Sequence, residues 1–280
     1  MAIELRGKPV ADAINERVLA KAEALKSEGI NPTLAIVRLG ENPDDLSYER
    51  GAIKRCEGVG IAVKTFAFDR EISHTEFMEK WRKICNDESI HGILLFRPLP
   101  PQIIEAQVKG AFPIEKDIDC LLDYNLGRIF VDDKTVAPPC TAQAVMELLD
   151  FYDISVSGKN IAVVGRSLVV GKPLAMLLMQ KNATVTVCHS RTRDLKEVCK
   201  NADIVIAAIG RAKMLDKSYF TPFATVIDVG INVDENGKLC GDVDFESVSE
   251  EAAFITPVPG GIGTVTTSVL AQNVINAASK

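Results

Sequence analysis

The sequence predicts an α/β fold made of two domains, each built on a parallel sheet. Short apolar strands alternate with helical segments in both halves of the chain, which is the pattern that βαβ units produce. Residues 113–142 interrupt this alternation with turn-forming and acidic residues, so we place a domain boundary near residue 140. The predicted domains are therefore residues 1–140 and residues 141–264.

In the first half, apolar residues recur at helical spacing over residues 9–28, and Gly29 ends that helix. The apolar run TLAIVRL predicts a buried strand over residues 33–39. The remaining elements of this half are a helix over 46–57, a strand that starts at Gly60, a helix over 74–86 and a strand over 91–96. The proline-rich sequence RPLPP, which starts at Arg97, ends the last strand.

The second half repeats the alternation more regularly. Its predicted strands cover residues 160–165, 184–188, 203–209 and 224–229, and its predicted helices start at Gly171, cover 193–201 and end the chain at Lys280. A second parallel sheet is therefore expected after residue 141.

Composition excludes several functional classes. The net charge is -6 without a run of basic residues, so nucleic acid is not the expected partner. No apolar segment approaches the ~18 residues of a membrane helix, and the first residues lack the apolar core of a signal peptide. Seven cysteines without CxxC pairs and three separated histidines predict free thiols and no metal site. We therefore expect a cytoplasmic protein.

A glycine-containing turn indicates a dinucleotide site. The strand NIAVV runs into Gly165, Arg166 and Ser167, and a helix starts at Gly171 with Pro173 in its first turn. Glycines let the backbone approach a phosphate, and the start of the helix offers free N–H groups with a positive dipole end. The spacing departs from GxGxxG, so a glycine-closed turn without a ligand is the alternative. The βαβ context favours a Rossmann-type domain.

The end of the next strand predicts which dinucleotide binds. NAD-binding folds place an acid there to hold the ribose hydroxyls. This chain reads CHSRT over residues 188–192, with no acid, and Ser190, Arg191 and Arg166 could hold a 2′-phosphate instead. We therefore predict NADP. The alternative for Arg191 is a solvated loop cation.

Nearly the whole chain resembles one enzyme family. The shared motifs are GILLFRPLP, KDIDCLLDYNLGR, PPCTA, VVGRSLVVGKP, TVTVCHSRT, VIDVGIN, GDVDF and TPVPGGIGT. These resemble the bifunctional methylenetetrahydrofolate dehydrogenase/methenyltetrahydrofolate cyclohydrolase family. The resemblance implies a folate-binding catalytic domain, an NADP-binding Rossmann domain and a C-terminal helix, 265–280, that returns to the first domain. It also implies a cytoplasmic homodimer that acts on tetrahydrofolate derivatives.

The resemblance also implies site residues. Tyr48 would lie along the folate rings and Asp119 would bind the pterin. Positions expected to meet the cofactor are Gly165, Arg166, Ser167, Ser190 and Ile231, and the turn and strand-end arguments above add Gly171 and Arg191. From the residues alone, Tyr48 could instead be a core aromatic and Asp119 a turn or cap residue.

The chain departs from the family pattern in the predicted folate pocket. Ala52 stands where the family has a lysine that serves the cyclohydrolase step, and Phe96 stands where it has a glutamine. Cys120 replaces the usual glycine after Asp119. We therefore predict dehydrogenase activity with much reduced cyclohydrolase activity.

Two arginines are candidate substitutes for the missing lysine. Arg55 lies seven residues after Tyr48, nearly on the same helix face at ~100° per residue, and Arg97 lies at a strand end. Two alternatives to the main prediction stay open: a non-catalytic folate- or nucleotide-binding regulatory protein, and a dehydrogenase for another substrate.

Overall fold

A computed structural model describes all residues from 1 to 280. Its strands are β1 (Ile3–Glu4), β2 (Thr33–Leu39), β3 (Ala62–Phe68), β4 (Gly92–Leu95), β5 (Asn160–Val164), β6 (Thr184–Cys188), β7 (Ile204–Ala207), β8 (Thr225–Asp228), β9 (Asn232–Val233), β10 (Leu239–Cys240) and β11 (Phe254–Ile255). Its α-helices are α1 (Gly7–Ser27), α2 (Pro43–Gly58), α3 (His74–Cys85), α4 (Glu105–Gly110), α5 (Asp123–Phe130), α6 (Cys140–Phe151), α7 (Gly171–Gln180), α8 (Leu195–Lys200), α9 (Phe245–Ser249) and α10 (Ile262–Ala278).

The chain divides into two compact units. The first unit comprises residues 13–140 and 267–280, and the second comprises residues 1–12 and 141–266. The division differs from the predicted domains at the N-terminus, where residues 1–12 group with the second unit. The physical reason is strand pairing, because β1 pairs in parallel with β11. The two-residue β1 is exposed, so no apolar pattern in the sequence marked it.

The first unit is organised around a three-stranded parallel sheet in the order β3-β2-β4. The central strand, β2, has the apolar sequence expected of a strand covered on both faces. Trp81 and Phe77 of α3 are fully buried against this sheet, with stacked rings whose centroids are 6.0 Å apart. The Trp81 indole donates a hydrogen bond to the Val108 carbonyl at 3.0 Å, so its polar atom is also satisfied.

The second unit contains a six-stranded parallel sheet in the order β1-β11-β8-β7-β5-β6. Strand β5 lies between β6 and β7, so the direction of winding reverses beside β5. In open α/β sheets this reversal leaves a crevice at the carboxyl ends of the strands, where ligands bind. The two-domain α/β fold with parallel sheets, predicted from the sequence, is confirmed.

The C-terminal helix contributes to the first unit, as the family resemblance implied. Its last part, residues 267–280, groups with residues 13–140. The buried Asn273 side chain donates hydrogen bonds to the Ile118 carbonyl at 3.0 Å and to the Cys140 sulfur at 3.6 Å. Asn273 therefore ties α10 to the loop that carries Asp119.

Helix α2, which carries Tyr48, is fixed at its start and at its middle. The Asn42 side chain caps it by accepting the Asp44 N–H at 3.0 Å, and Pro43 occupies its first turn. Glu49 forms a buried ion pair with Arg38 of β2, with an N–O distance of 2.9 Å. Arg38 also donates to the Gly40 carbonyl at 2.6 Å. This pair locks the helix to the central strand.

No helix of the protein is both long enough and apolar enough to cross a membrane.

Loss of the buried ion pair should destabilise the protein. The side chains of Arg38 and Glu49 are only 14% and 11% exposed, so Glu49→Gln leaves a buried arginine without its counter-charge. We expect the free energy of unfolding to fall by about 3 kcal/mol. The matched control is Glu79→Gln, because the Glu79–Lys83 pair is about 70% exposed on both sides and should contribute less than about 0.5 kcal/mol. Urea unfolding followed by circular dichroism measures the free energy of unfolding of both variants. An equal loss of stability in Glu49→Gln and Glu79→Gln would contradict the proposed role of the Arg38–Glu49 pair.

Candidate active site

The turn after β5 brings backbone segments so close together that it leaves no room for a Cβ atom at two glycines. Gly165 has φ +139°, and a Cβ atom on it would lie 2.1 Å from the Ala208 carbonyl oxygen. A Cβ atom on Gly171 would lie 2.1 Å from the Gly165 carbonyl oxygen. Neither position can hold a larger residue without moving backbone, so both glycines are required for the turn to close.

The loop between these glycines is ordered by its own serine. The Ser167 hydroxyl accepts the Val170 N–H at 3.0 Å, and the Ser167 carbonyl accepts the Lys172 N–H at 3.0 Å. Arg166 and Ser167 are exposed at the carboxyl end of β5, next to the start of α7. This arrangement suits a phosphate, because a helix start offers N–H donors and arginine adds positive charge.

A second turn follows β6. The His189 N–H donates to the Thr192 hydroxyl at 2.8 Å, and the Arg191 N–H donates to His189 Nδ1 at 3.1 Å. These bonds leave the side chains of Ser190 and Arg191 exposed. As the sequence predicted, the turn contains no acid that could bind ribose hydroxyls, and its exposed cation suits a 2′-phosphate.

A cavity of about 210 Å³ lies at the carboxyl end of β8. Its walls are Asp228–Ile231, Leu239 and the segment Pro257–Thr264. Ile231, one of the predicted cofactor residues, is 67% exposed and lines it. The volume is below the ~300–1,000 Å³ that encloses a drug-sized ligand, so the cavity suits one ring of a dinucleotide and not the whole molecule. With the two turns, these residues fit a nicotinamide dinucleotide.

In the first unit, Tyr48 and Phe96 come together at the carboxyl end of the sheet. Their rings meet edge to face, with centroids 6.0 Å apart at 87°. Tyr48 is half-buried, and burial raises the pKa of its phenol well above the ordinary value. Tyr48 is therefore a neutral phenol at neutral pH.

Ala52 lies one turn further along α2 and is fully buried. A fully buried alanine presents no surface to a ligand in this structure, and the assignment of Ala52 to the folate-binding pocket stays a prediction. The position of the family's lysine is thus closed to solvent.

Asp119 lies at the start of α6. One of its carboxylate oxygens accepts the Cys140 N–H at 2.8 Å. Burial raises the pKa of Asp119 above its ordinary value, and the hydrogen bonds from Cys140 and the charge of Arg97 oppose that rise. The sequence offered two interpretations of Asp119, a cap residue and a pterin ligand. Asp119 accepts the first N–H of α6, as a cap does, and it is also a half-buried carboxylate near Tyr48, as a pterin ligand would be.

Asp117 is the principal structural acid of the same loop, which the sequence analysis did not single out. Its carboxylate accepts the N–H groups of Leu121 and Leu122 at 2.8 and 2.9 Å and the Asn125 amide at 2.8 Å. Cys120, which follows Asp119 and precedes α5, adopts φ +54°. The left-handed conformation explains why glycine is the family's residue at this position.

The two candidate arginines differ in their surroundings. Arg97 is exposed, lies 3.8 Å from Glu105 and acts electrostatically on Asp119. Arg55 is half-buried, and its Nε atom is buried without a hydrogen-bond partner. The structure therefore connects Arg97, and not Arg55, with the charge of Asp119.

Two family models match this chain. The catalytic domain of tetrahydrofolate dehydrogenase/cyclohydrolase matches residues 5–119, and the NAD(P)-binding domain of the same family matches residues 139–280. The chain belongs to the tetrahydrofolate dehydrogenase/cyclohydrolase family. The resemblance drawn from the sequence motifs is thereby confirmed.

Individual members of the family are similar over nearly their full length. The bifunctional protein FolD 1 of Desulfitobacterium hafniense (strain Y51) is 52% identical, covering 98% of this chain and 97% of that protein. A crystal structure of the bifunctional FolD enzyme from Campylobacter jejuni superposes with a TM-score of 0.96 at 36% identity, covering 100% and 99% of the two chains. The crystal structure of the Trypanosoma brucei family member, complexed with NADP cofactor and inhibitor, superposes with a TM-score of 0.93 at 32% identity. The match covers 99% of this chain and 97% of that chain.

Cofactor preference tests the turn after β6. In the Arg191→Asp variant, the exposed cation is replaced by an acid that repels a 2′-phosphate and accepts ribose hydroxyls. We expect the Kd for NADP to rise about tenfold or more and the Kd for NAD to fall, both measured by fluorescence titration. Arg193→Asp is the matched control, because Arg193 is also an exposed arginine and lies two residues further on. Equal affinity of the parent protein for NADP and NAD would contradict the assignment.

Proposed function

We propose that this protein oxidises 5,10-methylenetetrahydrofolate to 5,10-methenyltetrahydrofolate with NADP and hydrolyses the methenyl product to 10-formyltetrahydrofolate only weakly. The observation that carries the proposal is the packing of Phe96 on Tyr48 beside a fully buried Ala52, in a chain whose dinucleotide turns are intact. The same intact turns favour use of a cofactor over a protein that has lost dinucleotide binding.

The cofactor is held by the second unit. Gly165, Arg166 and Ser167 would hold its diphosphate, Ser190 and Arg191 its 2′-phosphate, and Ile231 its ring. When bound, NADP supplies the acceptor for a hydride. The protein's part in such a transfer is mostly alignment and exclusion of water, so it needs no strong acid or base.

The folate is held by the first unit. Asp119 would accept hydrogen bonds from the N–H groups of the pterin, and a charged acceptor makes these bonds stronger than neutral ones. Tyr48 and Phe96 present ring edges and faces on which planar folate rings can pack. The apolar Phe96 also keeps water away from the methylene group.

Hydrolysis makes a different demand, because a water must be activated and protons must move. Ala52 carries no ionisable group, and Tyr48 stays protonated because its pKa is raised well above the ordinary value. Arg97 keeps its charge and is a poor proton shuttle. The residues around Tyr48 are thus suited to hydride transfer and poorly suited to hydrolysis.

The proposal extends to location and assembly. A cytoplasmic homodimer is implied by the family resemblance, and seven free, buried cysteines suit a reducing compartment. Light scattering of the purified protein measures the oligomeric state directly.

The activity itself can be tested in one reaction. Purified protein with NADP and methylenetetrahydrofolate should form NADPH and methenyltetrahydrofolate in equal amounts, with the methenyl absorbance persisting. Absence of NADPH formation would overturn the dehydrogenase assignment. Rapid, enzyme-dependent decay of added methenyltetrahydrofolate would overturn the loss of hydrolysis, and Arg97→Ala and Arg55→Ala would then identify the substituting residue.

Replacing Asp119 should weaken folate binding selectively. Asp119→Asn keeps an oxygen for the Cys140 N–H but removes the charge. We expect the KM for methylenetetrahydrofolate to rise about tenfold to a hundredfold, while the Kd for NADP stays within about twofold. Asp123→Asn, at an 82% exposed side chain, is the control. Because burial raises the Asp119 pKa, the parent's KM should also rise as the pH falls through that pKa, and a flat profile would return Asp119 to a capping role alone.

Restoring the family residues should restore hydrolysis only when both are present. Ala52→Lys alone places an ammonium in a fully buried site beside Phe96, which cannot accept its hydrogen bond. Ala52→Lys with Phe96→Gln supplies the acceptor, so we expect faster decay of methenyltetrahydrofolate than with either single variant. Ala67→Lys with Phe130→Gln, at two exposed positions, controls for added charge and lost aromatic surface. Recovery with Ala52→Lys alone would show that the glutamine partner is unnecessary.

A further inference from the structure

Two buried aspartates lie at the carboxyl ends of the strands of the second unit, and the mechanism above uses neither. Asp228 is the last residue of β8 and lines the cavity, and Asp242 follows β10. Both are buried, at 3% and 0% exposure. A pair of buried acids beside a ligand cavity requires a physical explanation, because ionised carboxylates are costly to remove from water.

Asp242 holds the loop that follows β7. Its carboxylate accepts three successive backbone N–H groups, from Ile209 at 2.6 Å, Gly210 at 3.1 Å and Arg211 at 2.8 Å. It also accepts the Asn232 amide at 2.9 Å. One side chain therefore fixes a loop at the carboxyl edge of the sheet, where ligand sites form.

Asp228 holds Asp242 and the cavity wall together. It accepts the N–H groups of Asp242 at 3.0 Å and Val243 at 2.8 Å, and it accepts the N–H of Gly230, a cavity-lining residue, at 2.9 Å. The two carboxylates thus form a chain of contacts from the cavity wall to the loop after β7.

Two glycines make this close packing possible. A Cβ atom on Gly241 would lie 1.8 Å from an Asp228 carboxylate oxygen, and one on Gly230 would lie 2.5 Å from an Asp242 carboxylate oxygen. Gly230 of VIDVGIN and Gly241 of GDVDF must therefore lack a side chain, because the Asp242 and Asp228 carboxylates fill the space that a Cβ atom would take.

The hydrogen bonds that the two carboxylates accept all come from N–H donors. The charged group that faces Asp228 is Asp242, from the segment after β10. Thr256, which follows β11, is neutral and accepts the Asp228 backbone N–H, and residues 229–231 contribute no charge. Lys213, the nearby cation of the β7–β8 connection, pairs with Asp234 at 3.2 Å. Burial raises the pKa of Asp228 to about 7, against the pull of its three backbone hydrogen bonds.

We infer that Asp228 and Asp242 are positioning residues that hold the walls of the cofactor cavity and make it favour the oxidised, positively charged nicotinamide ring over the reduced, neutral ring. This inference rests on the proposed function, in which that cavity receives the nicotinamide ring. A carboxylate at the cavity wall attracts a cationic ring in a site of low dielectric constant and gives a neutral ring no such attraction. Tight binding of the oxidised form suits an enzyme that removes hydride from its substrate.

The charge contribution is separable from the structural one by comparing two forms of one ligand. Asp228→Asn keeps one oxygen for the backbone N–H groups and removes the charge. We expect the Kd for NADP+ to rise about tenfold more than the Kd for NADPH, measured by isothermal titration calorimetry. Asp203→Asn is the matched control, because Asp203 accepts the Asn160 N–H at 2.8 Å at the opposite, amino end of the same sheet. Its two Kd values should change by the same factor.

A second measurement needs no variant, so it stands even if Asp228→Asn fails to fold. A cation bound near Asp228 lowers the pKa of that carboxyl, so near pH 7 NADP+ should release a fraction of a proton that NADPH does not. Calorimetry in buffers of different ionisation enthalpy measures this difference. Both ligands carry the same phosphates, so proton exchange by phosphate cancels in the comparison.

The outcomes distinguish this inference from the function on which it rests. Equal weakening of both cofactor forms in Asp228→Asn, or equal proton release by both in the parent protein, would show a structural role without discrimination and would overturn the inference. Failure of the parent protein to bind either cofactor form would overturn the proposed function instead.

Discussion

The fold of this protein depends on how backbone N–H groups are satisfied where its strands end and where its helices start. Strand-end N–H groups have no further ladder partner, and the first N–H groups of a helix have no partner within the helix, so both need other acceptors when they are buried. Carboxylates supply the missing acceptors in both units. Four aspartates serve this purpose: Asp117, Asp119, Asp228 and Asp242. Each accepts at least one backbone N–H group, and three of them accept several.

This solution brings negative charge to the places where ligands bind in α/β sheets. In the first unit, the charge of Arg97 partly offsets that of Asp119, so a carboxylate there remains available to a pterin. In the second unit, burial raises the pKa of Asp228 to about 7 against three backbone hydrogen bonds, with a smaller contribution from the charge of Asp242. The same structural device therefore yields a binding carboxylate in one unit and a carboxyl that titrates near neutral pH in the other.

The sequence predicted the elements well wherever burial imposes a pattern. Strands 33–39 and 184–188 and the start of α7 have the predicted bounds, because each is delimited by glycines or turn residues. Helix α2 starts three residues earlier than predicted, since Asn42 provides its cap and Pro43 its first position. The two-residue β1 escaped prediction because it is exposed and pairs with a strand 250 residues away along the chain.

The site was less predictable than the fold, for a physical reason. Helical spacing placed Arg55 nearly on the face of Tyr48, but spacing does not say which charge acts on Asp119, and that charge is Arg97, from another element. The Asp228–Asp242 pair was visible only as acids ending apolar runs, in VIDVGIN and GDVDF. Their partners are backbone atoms of a distant loop, which no residue pattern encodes.

The two substitutions beside Tyr48 are best understood together. A buried lysine needs an acceptor, and a buried glutamine needs a donor, so losing one partner leaves the other unsatisfied at a cost of about 1–3 kcal/mol. Losing both and filling the space with apolar groups removes that cost. Ala52 is fully buried and Phe96 contacts Tyr48 edge to face, as expected of such a coupled change. Under the proposed function, this apolar surface serves hydride transfer between planar rings, while hydrolysis lacks the ionisable side chain at position 52.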